Sequence, residues 1–350
     1  MVIDEDIDII AEDIKNKGIK NSKIVITGAT GLLGSLMVKG FVRANEKYGL
    51  NNKIYALARN VDKANDIFYG FKNENLVIVK NNITEPININ EDVDYVFHTA
   101  AITKSKEMIT NPTNVIKTTV HGTVNVLDFA KNHNAKSVVF LSSMEVYGVV
   151  EDSNETLKEE DLGWLDLNKV RSCYPESKRL AENYCVCYAD EYGLNVKVAR
   201  LTQTFGAGAD YEETRIFGMI ARNTLEKKDI VLHTTGGSVR DYCYTTDAIN
   251  AILTIAVNGE MGEIYNVANP ETNNSIKGMA ELVAKEFGGG LVKVRIEIPE
   301  GGANCYGSDS IIRLNVDKLK DLGWEPRYNL KEMYARLIQS LEDITKQRKI

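Results

Sequence analysis

Residues 23–34 read Lys23-Ile24-Val25-Ile26-Thr27-Gly28-Ala29-Thr30-Gly31-Leu32-Leu33-Gly34, a short apolar run followed by three closely spaced glycines. Apolar residues then recur at helical spacing, so the stretch predicts a buried strand, a tight turn and a helix. The first N–H groups of such a helix lack partners within it and point toward an anion. Gly28 would allow the turn, Gly31 a close approach of the backbone to phosphates, and Gly34 close helix packing. The stretch predicts a site for a dinucleotide pyrophosphate, although its Gly-x-x-Gly-x-x-Gly spacing differs from the commoner fingerprint.

Three further residues combine a phenol, an ammonium and a hydroxyl. Tyr174 and Lys178 are four residues apart, on one face of a predicted helix, and Ser143 follows a predicted strand. The unperturbed pKa of tyrosine is about 10, and an ammonium one turn away is expected to lower it by stabilising the phenolate. Tyr174 is thus predicted as a base, and Ser143 as the hydrogen-bond partner of a substrate oxygen. These groups suit the oxidation of an alcohol with hydride transfer to a nicotinamide.

Six short apolar runs are predicted as buried strands, at residues 24–26, 54–58, 76–79, 95–97, 138–141 and 196–200. Amphipathic segments, such as 113–133 and 175–192, lie between them. This alternation predicts an α/β fold class, with a doubly wound parallel sheet of the Rossmann type.

The pattern loosens after residue 205, which predicts a smaller C-terminal lobe that binds the substrate. Residues 1–205 and 237–262 are assigned to the dinucleotide-binding domain. Residues 206–236 and 263–350 are assigned to the substrate-binding lobe.

Composition limits the classes of function. The 350 residues are 43% apolar, enough for a large core, and carry a formal net charge of −7. The acidic balance argues against wide contact with nucleic acid. No apolar run is long enough to span a membrane and no signal peptide is evident, which predicts a cytoplasmic protein. Cys185 and Cys187 would point apart on a helix, and the histidines lack zinc spacing, so no metal is expected.

The first twenty residues carry an amphipathic pattern. Ile3, Ile7, Ile10 and Ile14 share one face of a predicted helix, with acidic residues opposite. Packing of this helix on its own domain is favoured over a role as a partner-binding arm.

Further motifs follow in a fixed order along the chain. They are the glycine turn at 27–34, Val-Phe-His-Thr-Ala-Ala at 96–101, Gly122-Thr123, Ser-Ser-Met-Glu-Val-Tyr-Gly at 142–148, the Tyr174/Lys178 pair, Arg240-Asp241-Tyr242 and Leu-Gly-Trp-Glu-Pro at 322–326. With this set the chain resembles the extended short-chain dehydrogenase/reductase family of nucleotide-sugar epimerases, dehydratases and decarboxylases, from about Ser22 to about Leu341. The resemblance implies an enzyme that acts on a nucleoside-diphosphate sugar through a transient 4-keto intermediate. It also implies a homodimer, formed by the helices that hold Gly122 and Tyr174.

The resemblance also implies which residues bind the cofactor. In NAD-preferring relatives an acidic residue ends the second strand and binds the ribose 2′-hydroxyl, whereas here Arg59 takes that place. An arginine would accept a 2′-phosphate, so the cofactor is predicted as NAD or NADP. The cofactor-binding set is Thr27, Gly28, Thr30, Gly31, Leu32, Leu33, Gly34, Arg59, Asn60, Asn82, Ile83, Ala100, Ala101, Thr103, Tyr174 and Lys178.

The type of reaction depends on Ser143-Met144-Glu145. In the family, 4,6-dehydratases usually have Thr-Asp-Glu at these positions and decarboxylases usually Thr-Ser-Glu. Glu145 would place a carboxylate near C5 and C6 of the sugar, and the thioether of Met144 cannot donate a proton to a departing C6 hydroxyl. A reaction like that of UDP-glucuronate decarboxylase is therefore favoured. The alternatives are a 4,6-dehydratase, a 4-epimerase or, outside this class, an NADP-dependent carbonyl reductase.

The catalytic set is thus Ser143, Glu145, Tyr174 and Lys178. The resemblance assigns Gln203, Thr204, Arg215 and Arg240 to the substrate, with the two arginines holding the diphosphate. Gln203 stands where relatives usually have asparagine, which predicts an unusual sugar.

Overall fold

The structure of the protein, a computed structural model, describes residues 1–150, 156–298 and 310–347. Strands and helices are numbered in chain order. The strands among these residues are β1 (Lys23–Thr27), β2 (Lys53–Ala58), β3 (Leu76–Lys80), β4 (Tyr95–His98), β5 (Ser137–Ser143), β6 (Val196–Leu201), β7 (Gln203–Phe205), β8 (Ile230–Leu232), β9 (Val239–Tyr244), β10 (Ile264–Val267), β11 (Asn269–Ser275), β12 (Val294–Ile296) and β13 (Ile311–Ile312). The α-helices are α1 (Val2–Asn16), α2 (Leu32–Tyr48), α3 (Val61–Ile67), α4 (Ser105–Thr110), α5 (Pro112–Asn132), α6 (Cys173–Tyr192), α7 (Ile216–Leu225), α8 (Thr245–Asn258), α9 (Ile276–Phe287), α10 (Asp317–Lys320) and α11 (Leu330–Gln347).

A seven-stranded parallel sheet forms the centre of the molecule, in the order β10-β6-β5-β4-β1-β2-β3. The six apolar runs predicted as strands all lie in it, because a parallel sheet covered on both faces needs nearly continuous apolar strands. The chain leaves β1 toward β2 on one side and reaches β4 on the other. The carboxyl ends of β1 and β4 therefore flank a crevice of the kind in which open α/β sheets bind ligands.

Helices cover both faces of this sheet. On one face Ile24 and Ile26 of β1 belong to the same apolar cluster as residues of α1, α2 and α8. On the other face Val25 belongs to a cluster with residues of α5 and α6. The side chains of one strand thus alternate between two helical layers, as in a doubly wound fold, and the predicted fold class is confirmed.

Helix α1 packs on its own chain. Ile7, Ile10 and Ile14 are buried in the core that α1 shares with α2 and α8. Asp6 of the same helix is also buried, and its carboxylate accepts a hydrogen bond of 2.6 Å from the Tyr244 hydroxyl. The same carboxylate forms a 2.6 Å ion pair with Arg336 of α11. The predicted intramolecular packing of this helix is confirmed.

A second region is built from β7 to β9 and β11 to β13. Strand β9 pairs with β11, β13 and β7, and β8 pairs with β12. Its apolar core joins Phe205, Phe217 and Tyr334 with residues of α9. Residues 237–262 were assigned to the dinucleotide-binding domain, but their strand, β9, pairs with strands of this second region. Strand β10, which begins just after residue 262, joins the large sheet instead. The division into two domains stays a prediction.

The helices of the described part of the chain include none that is both long and apolar enough to cross a membrane.

Candidate active site

The glycine turn fits closely between β1 and β4. Gly28 has a φ of +63°, and a Cβ atom there would lie 2.7 Å from the Cα of Ala100, so only glycine is tolerated. A Cβ on Gly34 would collide with the carbonyl oxygen of Gly28. Gly31 is the N-cap of α2, and no side chain caps this 17-residue helix. Its first N–H groups are thus left for an anion, which is what a dinucleotide pyrophosphate requires.

A cavity of about 590 Å³ opens beside this turn. Eleven residues of the predicted cofactor set line it: Thr27, Gly28, Thr30, Gly31, Arg59, Asn60, Asn82, Ile83, Ala100, Ala101 and Thr103. The other five, Leu32, Leu33, Gly34, Tyr174 and Lys178, line a second cavity of about 290 Å³. Both cavities are lined by Gly31, Thr99, Ala101 and Thr103, so they form one continuous cleft along the carboxyl ends of the strands.

Some lining residues were missed by the sequence reasoning. Asn81 follows β3, Thr99 follows β4, and Lys63 and Lys104 reach the first cavity from neighbouring segments. The Thr99 hydroxyl donates a 2.6 Å hydrogen bond to the carbonyl of Thr27, which ties β4 to the glycine turn. Their position just after parallel strands is the signal that would have found Asn81 and Thr99.

The predicted trio meets in the second cavity. Ser143 ends β5, while Tyr174 and Lys178 lie in the first two turns of α6, both almost fully buried. The Ser143 side chain is close enough to the Tyr174 phenol to lower its pKa. Lys178 donates a 2.6 Å hydrogen bond from Nζ to the carbonyl of Leu141, on β5. The side chains that alcohol oxidation needs therefore line one cavity.

The pKa values of this pair differ from the expectation. Burial raises the pKa of Tyr174, the nearby charge of Glu145 raises it further, and the Ser143 side chain only partly offsets these effects. The prediction of a lowered pKa for Tyr174 is wrong, because burial of the phenol outweighs the groups that favour the phenolate. Burial lowers the pKa of Lys178 to about 8. A cation near the phenol, such as an oxidised nicotinamide, would favour the phenolate.

Beneath the trio lies a buried ion pair. Glu182, one helical turn after Lys178, bonds the guanidinium of Arg200 at 2.7 Å, and both side chains are almost fully buried. Ser142 donates a hydrogen bond to the same carboxylate, and Arg200 bonds the hydroxyl of Tyr147 at 3.1 Å. This layer fixes β5, β6 and α6 relative to one another, and so holds Ser143 and Tyr174 in register.

Glu145 has a partner that the sequence did not reveal. The guanidinium of Arg171 lies 2.9 Å from one carboxylate oxygen of Glu145 and 3.0 Å from the other. Arg171 precedes Tyr174 by three residues, and its guanidinium is 5.9 Å from the centre of the tyrosine ring. Glu145 lines the second cavity, so a carboxylate with a bound cation stands beside the predicted base.

Met144 also lines this cavity, and it is almost completely buried. The Thr202 hydroxyl oxygen lies 3.3 Å from its sulfur and donates its proton to the carbonyl of Asp241. The thioether packs in an apolar cluster with Tyr147 and Leu314. No proton can be donated from this position, as the sequence predicted.

The predicted substrate residues fall into two groups. Gln203, Thr204 and Arg215 line the second cavity, and the buried Oε1 of Gln203 has no protein hydrogen-bond partner among the described residues. Arg215 forms a 2.7 Å ion pair with Glu213. Arg240 bonds Ser310 and does not line either of these cavities. The roles of these residues stay predictions.

The cysteine pair also separates as predicted. Cys185 faces the core and Cys187 is exposed, because residues two apart on a helix point in different directions.

Comparison with known proteins gives the class of the chain. Residues 24–268 match the model of the NAD dependent epimerase/dehydratase family. The chain belongs to this family, and the predictions of an enzyme of this class and of a nicotinamide cofactor are confirmed. The uncapped helix α2 and the cleft beside it fit such a cofactor.

Three similar proteins illustrate the range of the family. UDP-glucuronic acid decarboxylase 1 of Danio rerio is 29% identical over 324 residues, which cover 91% of this chain and 72% of the relative. UDP-N-acetylglucosamine 4-epimerase from Methanobrevibacter ruminantium M1, solved with UDP-N-acetylmuramic acid, has a TM-score of 0.77 at 21% identity, covering 94% of this chain and 99% of that one. dTDP-glucose 4,6-dehydratase from Streptomyces venezuelae, solved with NAD, has a TM-score of 0.76 at 21% identity, covering 93% and 98%. The two structures share the fold of this chain.

Proposed function

We propose that the chain modifies a nucleoside-diphosphate sugar and that its reaction is the decarboxylation of a uronic acid such as UDP-glucuronate. The family supports the first part, since the chain belongs to the NAD dependent epimerase/dehydratase family. The Danio rerio relative, a UDP-glucuronic acid decarboxylase similar over 91% of this chain, supports the second.

One observation carries the choice of reaction. At the end of β5 the second cavity presents Met144 and Glu145, and Glu145 is paired with Arg171. Loss of a C6 hydroxyl needs a proton donor, which a thioether cannot be. A 4-keto uronic acid is a β-keto acid, so it can lose carbon dioxide without an acid for the leaving group. The ion pair with Arg171 keeps a cation next to the Glu145 carboxylate, which itself lines this cavity.

The roles of the side chains follow from their positions. When bound, the nicotinamide would accept the hydride of C4 and later return it. Tyr174 takes the proton of the C4 hydroxyl, and Ser143 holds the same oxygen by a hydrogen bond. Lys178, fixed on the carbonyl of Leu141, holds a positive charge behind the phenol. When the C5–C6 bond breaks and carbon dioxide leaves, its electron pair forms an enolate with the 4-keto group, and Glu145 passes a proton taken up from solvent to C5.

Product analysis tests this proposal. The protein is incubated with UDP-glucuronate, UDP-glucose, dTDP-glucose and UDP-N-acetylglucosamine, and the products are identified by mass spectrometry and NMR. Of these four, UDP-glucuronate is expected to be the one that reacts, with loss of carbon dioxide. Loss of water from a neutral sugar, or an unchanged mass with altered stereochemistry, would assign the chain to the dehydratases or the epimerases instead.

The homodimer is proposed as well. Helices α5 and α6 pack on each other, and each carries exposed apolar side chains, among them Ile116 and Leu180. Burial of these side chains against a second copy would stabilise a pair. Sedimentation equilibrium measures the mass of the assembly. The cytoplasmic location and the absence of metal and nucleic-acid partners stay predictions.

A further inference from the structure

The end of the first cavity beyond β2 carries two exposed cations. Arg59 directly follows β2, and Lys63 lies in the first turn of α3. Both residues line the cavity, together with Asn60, whose side chain accepts a 2.9 Å hydrogen bond from the Lys63 backbone N–H. Asn60 thus fixes the start of α3, so that Arg59 and Lys63 flank the same short loop.

This loop lies next to the glycine turn. Strands β1 and β2 are parallel neighbours in register, and the Ala29 N–H donates a 3.2 Å hydrogen bond to the carbonyl of Leu57. A dinucleotide whose pyrophosphate rests at the N-terminus of α2 therefore places its adenosine ribose toward the end of β2. In this geometry the residue after β2 faces the 2′ position of that ribose.

The charged residues that line this end of the cavity are both basic, although Asp62 lies between them in the first turn of α3. Among the described residues that line this cavity, the one acidic residue is Glu107, which lies on α4, beyond β4. The end of the cavity at β2 therefore has no lining carboxylate to accept a hydrogen bond from a 2′-hydroxyl. In the described part of the chain Arg59 and Lys63 form no ion pair, whereas Arg171 and Arg215 pair with Glu145 and Glu213. Two uncompensated cations in the cavity of an acidic protein favour an anionic ligand group.

We propose that Arg59 and Lys63 bind the 2′-phosphate of the cofactor, so that this chain prefers NADP to NAD. A guanidinium matches the fork of phosphate oxygens, and an ammonium adds a second charge. The proposal goes beyond the family name, which specifies NAD. It concerns cofactor binding alone, so it can fail while the proposed sugar chemistry holds, and the reverse.

Binding of two small probes isolates the phosphate. Adenosine 2′,5′-bisphosphate and AMP differ only by the 2′-phosphate, and titration calorimetry on protein freed of copurified cofactor gives both dissociation constants. The bisphosphate is expected to bind at least about 10-fold more tightly. Arg59→Ala with Lys63→Ala should abolish this preference and leave the affinity for AMP unchanged. Both side chains are exposed, and circular dichroism verifies the fold of the variant.

Lys104 provides a matched control. It is an exposed lysine that lines the same cavity near α4, so Lys104→Ala should leave the ratio of the two affinities as in the parent. An Arg59 that only stacks on adenine would weaken both probes equally when replaced, and this result would overturn the proposal. Equal binding of both probes by the parent would overturn it too.

A second measurement needs no cofactor removal. Protein denatured directly after purification releases any retained dinucleotide, which mass spectrometry identifies. NADP is the expected species, and retained NAD alone would contradict the proposal.

Discussion

Arg171 holds Glu145, which lines the second cavity, by an ion pair of 2.9 Å. Both side chains are more than a third exposed, so the pair contributes at most about 1 kcal/mol to folding. Its consequence is placement. Arg171 comes from the segment that leads into α6, and it therefore fixes the carboxylate relative to Tyr174.

Replacing Glu145 by Gln separates the early from the late chemistry. Oxidation at C4 should survive, because Tyr174, Lys178 and Ser143 are untouched. The later proton transfer at C5 should slow by about 10²–10⁴-fold, the usual effect of a lost acid–base group. Reduced cofactor and a 4-keto sugar should therefore accumulate. Near-ultraviolet absorbance measures the reduced cofactor, and mass spectrometry identifies the 4-keto sugar.

The matched control for this experiment is Glu213→Gln. The carboxylate of Glu213 pairs with Arg215, which lines the same cavity. This variant should change the affinity for the substrate but should not raise the fraction of reduced cofactor. If Glu145→Gln turned over at the parent rate with no reduced cofactor, the role of Glu145 at C5 and C6 would be wrong. Epimerisation at C4 would then be the favoured reaction.

Replacing Tyr174 by Phe removes only the ionisable oxygen. Turnover should fall by about 10²–10⁴-fold, while cofactor binding and the melting temperature stay close to the parent values. Rates are measured where chemistry limits turnover. A variant that kept more than a tenth of the parent rate would show that another group is the base.

Asp247 predicts a pH effect on stability. It is fully buried at the start of α8, where it accepts backbone N–H bonds from Arg327 and Tyr328, and burial raises its pKa to about 6. Between the unfolded value of about 3.9 and this folded value, the native state binds more protons than the unfolded one. The contribution of Asp247 to the free energy of unfolding therefore falls as pH rises from about 4 to about 6.

Asp247→Asn keeps the acceptor oxygen and removes the titration. The free energy of unfolding of the variant, minus that of the parent, should rise by roughly 1–3 kcal/mol across this window. Urea unfolding at several pH values measures the difference. Asp321→Asn, at an exposed carboxylate after α10, is measured in the same way as the control for the loss of one carboxylate. A difference for Asp247→Asn that does not change with pH would disprove the prediction.

The sequence predicted local structure better than pairing. All six predicted strands of the large sheet occur within two residues of their expected bounds, because buried parallel strands are apolar along their whole length. The pairing of β9 and β10 could not be predicted, since both strands are short and their partners are distant in sequence. The ion pair between Glu145 and Arg171 was missed for the same reason. The predicted lowering of the Tyr174 pKa was wrong because the burial of the phenol and the position of Glu145 beside it are tertiary effects.

Met144 provides the test of why this site would decarboxylate rather than dehydrate. Its thioether lines the second cavity at the position where the dehydratases of the family usually have an acid, and the Thr202 hydroxyl oxygen lies 3.3 Å from its sulfur. Met144→Asp restores a group that can protonate a leaving hydroxyl, and Thr202 can then bond the new carboxylate. With UDP-glucose as substrate, the variant should form a dehydrated product that the parent lacks, detected by mass spectrometry. Met144→Asn, which has a similar size and no acidic proton, is the matched control and should form none. Equal dehydration by both variants, or by neither while both stay folded, would show that the acid at this position does not decide the reaction.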